Sequence, residues 1–215
     1  MDHFYLYARP YCWAYGFDMR SALVITMLMV AFPGPAQAWP ESTYREIFSH
    51  AEKALPEALG RLLSDMAPVV GQPCKVMPLR EAVERAGAEF ADREGNPGRA
   101  GAALRDAGCA AAAANDPGMD RLIQAQTPKF AVVFYGYHPA IVEGDLGRYL
   151  SERAAESERL AARYRQASQL PNRSEQVELS PEFGMASIAY SHAVSDVANV
   201  WFYIWTAAGG HNSQH

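Results

Sequence analysis

"PEFGMASIAYSHAVSDVANVWFYIWTAAGG", residues 181–210, decides the fold. Ser180, Pro181 and Glu182 form a helix-start signature: a hydroxyl to cap free amides, a proline whose φ is already helical, and an acid in the first turn. Nothing breaks the run until Gly209-Gly210. Apolar residues occupy most of its circumference, which marks a helix surrounded by others rather than one lying on a surface. The stretch predicts a long central C-terminal helix and, with it, an all-α single-domain bundle.

The rest of the chain supplies the outer helices. "PESTYREIFSHAEKAL" starts on Pro40 and carries Ile47, Ala51, Ala54 and Leu55 at helical spacing, and Pro56 then breaks it before Leu59, Leu62 and Leu63. "LREAVERAGAEFADREG" places Ala82, Val83, Ala86 and Phe90 on one face. The turn clusters "EGNPG" and "NDPGMD" bracket the alanine-rich "GRAGAALRDAGCAAAAA" and lead into "MDRLIQAQ". "FAVVFYGYH" from Phe130 is the best strand candidate by composition, but the apolar pattern runs on to Val142. A helix from Pro128, capped by Thr127 and ended by Gly144, is the expectation. Asp145 caps the next helix, a charged outer one with Leu146, Leu150, Ala154, Leu160 and Tyr164 drifting along one face. The count is about six or seven helices, with "QLPNRSEQVEL" as the one substantial polar connector and no internal repeat.

Processing limits what belongs to the fold. Residues 21–32, "SALVITMLMVAF", form an uncharged apolar run preceded by Arg20 and followed by Pro33, Gly34, Pro35 and the small-residue site Ala36-Gln37-Ala38. A bilayer span takes roughly 20 apolar residues, so this is read as a secretory signal, cleaved after Ala38. Met19 followed by Arg20 makes an ordinary signal peptide of residues 19–38, and residues 1–18 are then an upstream extension of the reading frame. The mature chain from Trp39 is expected in the periplasm or outside the cell. It forms one domain over 39–210 with a frayed tail over 211–215.

The formal charge of −5 is mild and contains no basic block, which excludes a general grip on nucleic-acid phosphates. No second apolar run is long enough to span a membrane. Cys12 lies in the discarded segment, leaving Cys74 and Cys109 as an even pair. In an oxidising compartment that pair reads as one disulfide. Metal thiolates would call for closer spacing or neighbouring Cys and His.

Five histidines follow Trp39: His50, His138, His192, His211 and His215. His192 and Asp196, spaced i, i+4, face the same way on the central helix, with Asn199 a turn further on. Two such groups bind one metal ion, or a carboxylate orients a buried imidazole that fixes helix packing. His50, eleven residues after Trp39, and His138, among Tyr135, Tyr137 and Ile141, each read singly as core or surface histidines. "VWFYIW" reads as packing.

Taken together these residues resemble the superfamily of zinc-dependent phospholipase C and single-strand nuclease. In that family a mature N-terminal Trp chelates zinc through its amine and carbonyl oxygen, the place held here by Trp39. The His of "FSHAEKAL", His50, is similar to the histidine of the phospholipase branch, whereas Tyr44 stands where the nuclease branch has its own. "SHAVSD" resembles the core zinc motif at His192 and Asp196, and "VANVWFYIWTAAGG" resembles the closing helix. The resemblance implies phosphodiester hydrolysis of a phospholipid or nucleotide. It implies metal ligands Trp39, His50, His192 and Asp196, with His138 as a further candidate, and one or two zinc ions rather than three. A full three-zinc cluster takes more histidines than the three plausible ones, His50, His138 and His192, supply. The reading from a different class is a non-catalytic periplasmic helical module, binding or envelope-structural, stapled by the disulfide.

Overall fold

The computed structural model describes residues 39–66, 74–75, 77–112, 116–170 and 176–210; the expected leader over 1–38 and tail over 211–215 lie outside them. Proline punctuation explains where the helices begin. Pro40, Pro56 and Pro78 sit at the cap positions of α1 (Glu41–Glu52), α2 (Glu57–Asp65) and α3 (Leu79–Ala91). Pro97, Pro117, Pro139 and Pro181 open the first turns of α4 (Pro97–Ala111), α5 (Pro117–Gln126), α6 (Pro139–Val142) and α8 (Pro181–Ala207). In both places the ring fixes φ near helical values, and its missing N–H is one the helix never needed. The exception is α7 (Leu146–Ala167), which starts from Asp145 after Gly144 at φ 77°. Asn96, Asp116, Asp145 and Ser180 each accept a first-turn amide, which satisfies donors the helix leaves open.

The result is an all-α single domain. Eight α-helices and two single-turn 3-10 segments, Thr127–Lys129 and Val177–Leu179, are present among the described residues, and no strand is. They belong to one compact unit, Ala38–His215. As expected, α8 is central, packing against α1, α3, α4, α5 and α7, and from Ala189 to Trp205 it is buried on most sides. Trp201 donates its indole N–H to the Leu104 carbonyl of α4 at 2.9 Å. Phe48 of α1 meets Trp201 at 5.3 Å between ring centroids. Gly108 makes that meeting possible: a Cβ there would lie 2.9 Å from the Phe48 ring and 3.2 Å from Trp201. Two buried ions of α4 reach its neighbours, Arg105 to Glu41 of α1 and Asp106 to Arg85 of α3.

Cys74 and Cys109 are bonded, tying the segment before α3 to the end of α4 with Cα atoms 5.9 Å apart. Closing that loop restricts the unfolded chain and stabilises the fold by about 3–4 kcal/mol in the chain-entropy account. No described helix is long and apolar enough to cross a membrane.

Two expectations need correction. The helix expected from Pro128 does not form: after the 3-10 turn residues 130–138 are an irregular strap, extended at Phe130 and His138, and helix resumes only for the single turn of α6. Thr127 does not cap it, but donates its hydroxyl back to the Ile123 carbonyl at 2.7 Å. The strap is held from outside itself. The amides of Val133 and Tyr135 donate to the hydroxyls of Ser191 and Ser195, both at 3.2 Å, and that of His138 to Asn199 Oδ1 at 2.7 Å. Two strand residues advance about 6.6 Å and four helical residues about 6 Å, so the two repeats stay in step for two rungs. Gly136, at φ 86°, turns the strap before the third. Side chains alternate as in a strand, with Phe130, Val132 and Phe134 inward and Ala131, Val133 and Tyr135 outward.

The second correction concerns α7. Its ends are anchored by Leu146, Tyr149, Leu160 and Ala161, but residues 150–159 include no buried side chain, and Ala154 faces solvent. Past Leu150, which packs partly buried against the core, the middle of the helix stands off it except at Arg153.

Candidate functional site

The stand-off creates a cleft of about 470 Å³ between α7 and α8. Its depth comes from small side chains. On α8, Ala189, His192, Ala193 and Asp196 follow the i, i+3, i+4, i+7 spacing of one helix face, and Tyr149, Glu152, Arg153, Glu156 and Leu160 do so on α7. Alanine at two of the four α8 positions leaves room that larger residues would have filled. Ala112 at the end of α4 and Met119 of α5 add further apolar wall.

Asp196 of α8 is hydrogen-bonded to α7. Its two oxygens accept from the Tyr149 hydroxyl and from Arg153 Nε, each at 2.8 Å. Arg153 also donates to the Ala111 carbonyl at the end of α4, where a cation complements the helix dipole. Arg153 and Asp196 are each 16 % exposed, so the pair is largely withdrawn from water and depends on these partners. Burial, and next the Asp196 charge, push the Tyr149 hydroxyl well above its ordinary range, so it stays a proton donor.

His138 closes one end. Its Nδ1 accepts the Ala140 amide at 3.2 Å, so the ring itself caps α6, and its Nε2 lies 3.1 Å from Glu152. An accepting Nδ1 places the ring proton on Nε2, the nitrogen nearer that carboxylate. His192 differs: its ring lies against Tyr135 of the strap at 4.7 Å between centroids, and its nitrogens have no hydrogen-bond partner among the described residues. Glu156 is engaged by Arg159.

Of the residues that the sequence singles out, His138, His192 and Asp196 therefore line one cleft. Trp39 and His50 do not. Trp39 is buried at the start of α1; its backbone nitrogen lies 3.3 Å from the Tyr44 hydroxyl, and its indole donates to Asp120 of α5 at 2.7 Å. It begins an aromatic row, Trp39–Tyr44–Phe48–Trp201, that runs into the core. His50 is half-buried on α1. Asn199 serves the strap rather than the His192–Asp196 face. Tyr149, Arg153 and Glu152 are the residues that spacing along one helix did not point to. Their i, i+3, i+4 arrangement on α7 mirrors that of α8, but nothing local says that the two faces meet.

Zinc, which the family resemblance implies, does not fit this arrangement. Among the described residues no three His, Cys, Asp or Glu side chains come together to hold a metal ion. Both oxygens of Asp196 and both ring nitrogens of His138 are already engaged.

A second hollow of about 310 Å³ lies between α1, the end of α2, α4 and Trp201 of α8. Phe48, Leu104 and Trp201 form its floor and Glu41 and Arg45 its edge. Burial pushes the Glu52 carboxyl above its ordinary range there.

Compared with known protein families, curated proteins and solved structures, the chain finds no match in any of the three.

Proposed function

We propose that this chain is an exported, disulfide-stapled helical binding module that takes a small ligand between α7 and α8. One observation carries the reading: the three carboxylates of the cleft and one of its two histidines are spent on other groups of the protein. Asp196 is held by Tyr149 and Arg153, His138 by the Ala140 amide and Glu152, and Glu156 by Arg159. A hydrolase that uses a histidine base orients it with a hydrogen bond or sets it beside a metal-bound water, and His192 has no hydrogen-bond partner among the described residues. Here what is left facing the cavity is mostly apolar wall with an unengaged imidazole, the makeup of a binding pocket. Export is supported by the leader-like sequence and by the disulfide, which persists in oxidising compartments.

The test is made on mature protein that begins at Trp39. Zinc content well below one ion per chain, and no hydrolysis of bis(p-nitrophenyl) phosphate with or without added zinc, are expected. Stoichiometric zinc with phosphodiesterase activity, both lost when one extra residue precedes Trp39, would overturn the binding reading in favour of a metal-dependent phosphodiesterase.

A further inference from the structure

We infer that the ligand of the α7–α8 cleft is a small amphipathic anion, with its apolar body against Ala189, Ala193, Met119 and Leu160 and its acidic head at His192 and Arg159. The inference rests on the binding reading above and deepens it.

Shape sets the apolar part. The alanines of α8 and the unburied middle of α7 leave a slot walled by methyl and methylene groups, and an apolar chain entering it removes that surface from water at about 25 cal/mol per Å². Net charge does not decide the head group. Arg153 and Arg159 stand against Glu152, Glu156 and Asp196 in the lining, and Arg148 approaches Glu152 at 3.9 Å from one turn away, which brings the balance to zero.

Remaining hydrogen-bond capacity decides it instead. Each carboxylate of the lining already faces a cation or a donor: Asp196 faces Arg153 and Tyr149, Glu152 faces His138, and Glu156 faces Arg159. A cationic head would have to compete with those partners. The donors are less fully used. His192 makes no hydrogen bond among the described residues, and Arg159 spends Nε and Nη2 on Glu156 while Nη1 makes none. Arg159 is also the most exposed charged side chain of the lining, at 61 %, so it can turn toward a ligand at little cost. Unspent donors beside an apolar slot favour a ligand with acceptor oxygens at one end, and hydrogen bonds to a charged acceptor are about twice as strong as neutral ones.

Three probes with the same six-carbon body separate the alternatives: hexanoate, hexylammonium and hexanol, titrated calorimetrically into the mature protein, with NMR of the His192 ring as a local readout. Hexanoate is expected to bind saturably and shift the His192 resonances. It should bind at least tenfold more tightly than hexylammonium, and acetate, which lacks the body, should not bind. Ala193→Leu, which fills the slot, should abolish binding with the helical signal retained. His192→Ala, at a half-buried position, gives an independent loss of tenfold or more should the leucine disturb folding. Tighter binding of hexylammonium or hexanol, lost in Ala193→Leu, overturns the anionic head and leaves the binding reading standing. Binding of none of the three, or hexanoate binding indifferent to both substitutions, overturns the assignment of this cleft as a ligand site altogether.

Discussion

The two flanks of α8 are built from the same element and end in opposite states. On one flank Ser191 and Ser195, four residues apart, hold the strap, and Asn199 continues the row. On the other, Ala189 and Ala193, also four residues apart, hold nothing, and the space above them is the cleft. Small residues at i, i+4 let another element approach closely in both places. A hydroxyl supplies an acceptor for a passing backbone, so on the serine flank the chain itself moves in. A methyl group supplies none, and on the alanine flank the hydrogen bonds that join α7 to α8 among the described residues are those of Tyr149 and Arg153 to Asp196. One atom per residue separates a closed flank from an open one.

The largest effect is expected where the open flank is pinned. Asp196→Ala removes the acceptor of both Tyr149 and Arg153 and leaves a largely buried guanidinium without its counter-charge, which costs about 2–4 kcal/mol. Urea unfolding should show a lower midpoint with little change in slope. A loss under about 1 kcal/mol would mean that water entering from the cleft already solvates the pair.

The closed flank should be weaker but more local. Replacing Ser191 and Ser195 together by alanine leaves the Val133 and Tyr135 amides without acceptors, at a cost of about 2 kcal/mol for the two. Hydrogen exchange is the sharper measurement. Protection should fall at those two amides and hold along α8, whereas Asp196→Ala should lower it along α7. Equal loss along both helices in the serine variant would erase the distinction between the flanks.

These two flanks also divide what could be read from the sequence. Seven of the eight helices begin at a proline. Most starts were legible because each rests on a local cause, a proline or a capping side chain within three residues. The start of α6 at Pro139 was not, since the sequence pointed to a helix from Pro128. The disulfide and the central place of α8 were legible for similar reasons, from two remaining cysteines and from apolarity on most sides. The strap was not. "FAVVFYGYH" has strand composition, but its acceptors lie about sixty residues later on a helix, a partner that no rule of local pattern offers. The site was half legible: i, i+4 spacing put His192 and Asp196 on one face, but the partner chosen by Asp196 came from α7. Trp39 read as a chelating N-terminus on resemblance, and its neighbours in the fold are Tyr44 and Asp120.

Asp120 offers a contrast to Asp196 that pH can expose. Asp196 has a cation at 2.8 Å. Asp120 has the Trp39 indole and, nearby, the like charge of Asp116. Burial is the main cause that raises its carboxyl to about 6; the Trp39 hydrogen bond opposes the rise and Asp116 adds to it. The native state then binds a proton more tightly than the unfolded chain, so stability falls as pH rises between about 4 and 6 and is flat above. Asp120→Asn keeps an acceptor for the indole and removes the charge. It should gain about 1–2 kcal/mol at pH 7, and the gain should vanish near pH 4. A gain independent of pH, or a loss at pH 7, would show that the charge is solvated or otherwise compensated.

The smallest expected effect tests whether the flanks are separate at all. Tyr135 belongs to the strap, yet its ring lies against His192 in the cleft. It is 52 % exposed, so Tyr135→Ala should cost at most about 0.5 kcal/mol by itself. Its value lies in coupling. Side chains that share no partner give additive effects, and those joined through a network do not. If the flanks act independently, Tyr135→Ala combined with Asp196→Ala should equal the sum of the two within about 0.5 kcal/mol. Non-additivity beyond that would mean that the ring contact carries the state of the strap to the cleft. His138 would then be the next residue to examine, since its amide is held on the closed flank by Asn199 and its imidazole on the open one by Glu152.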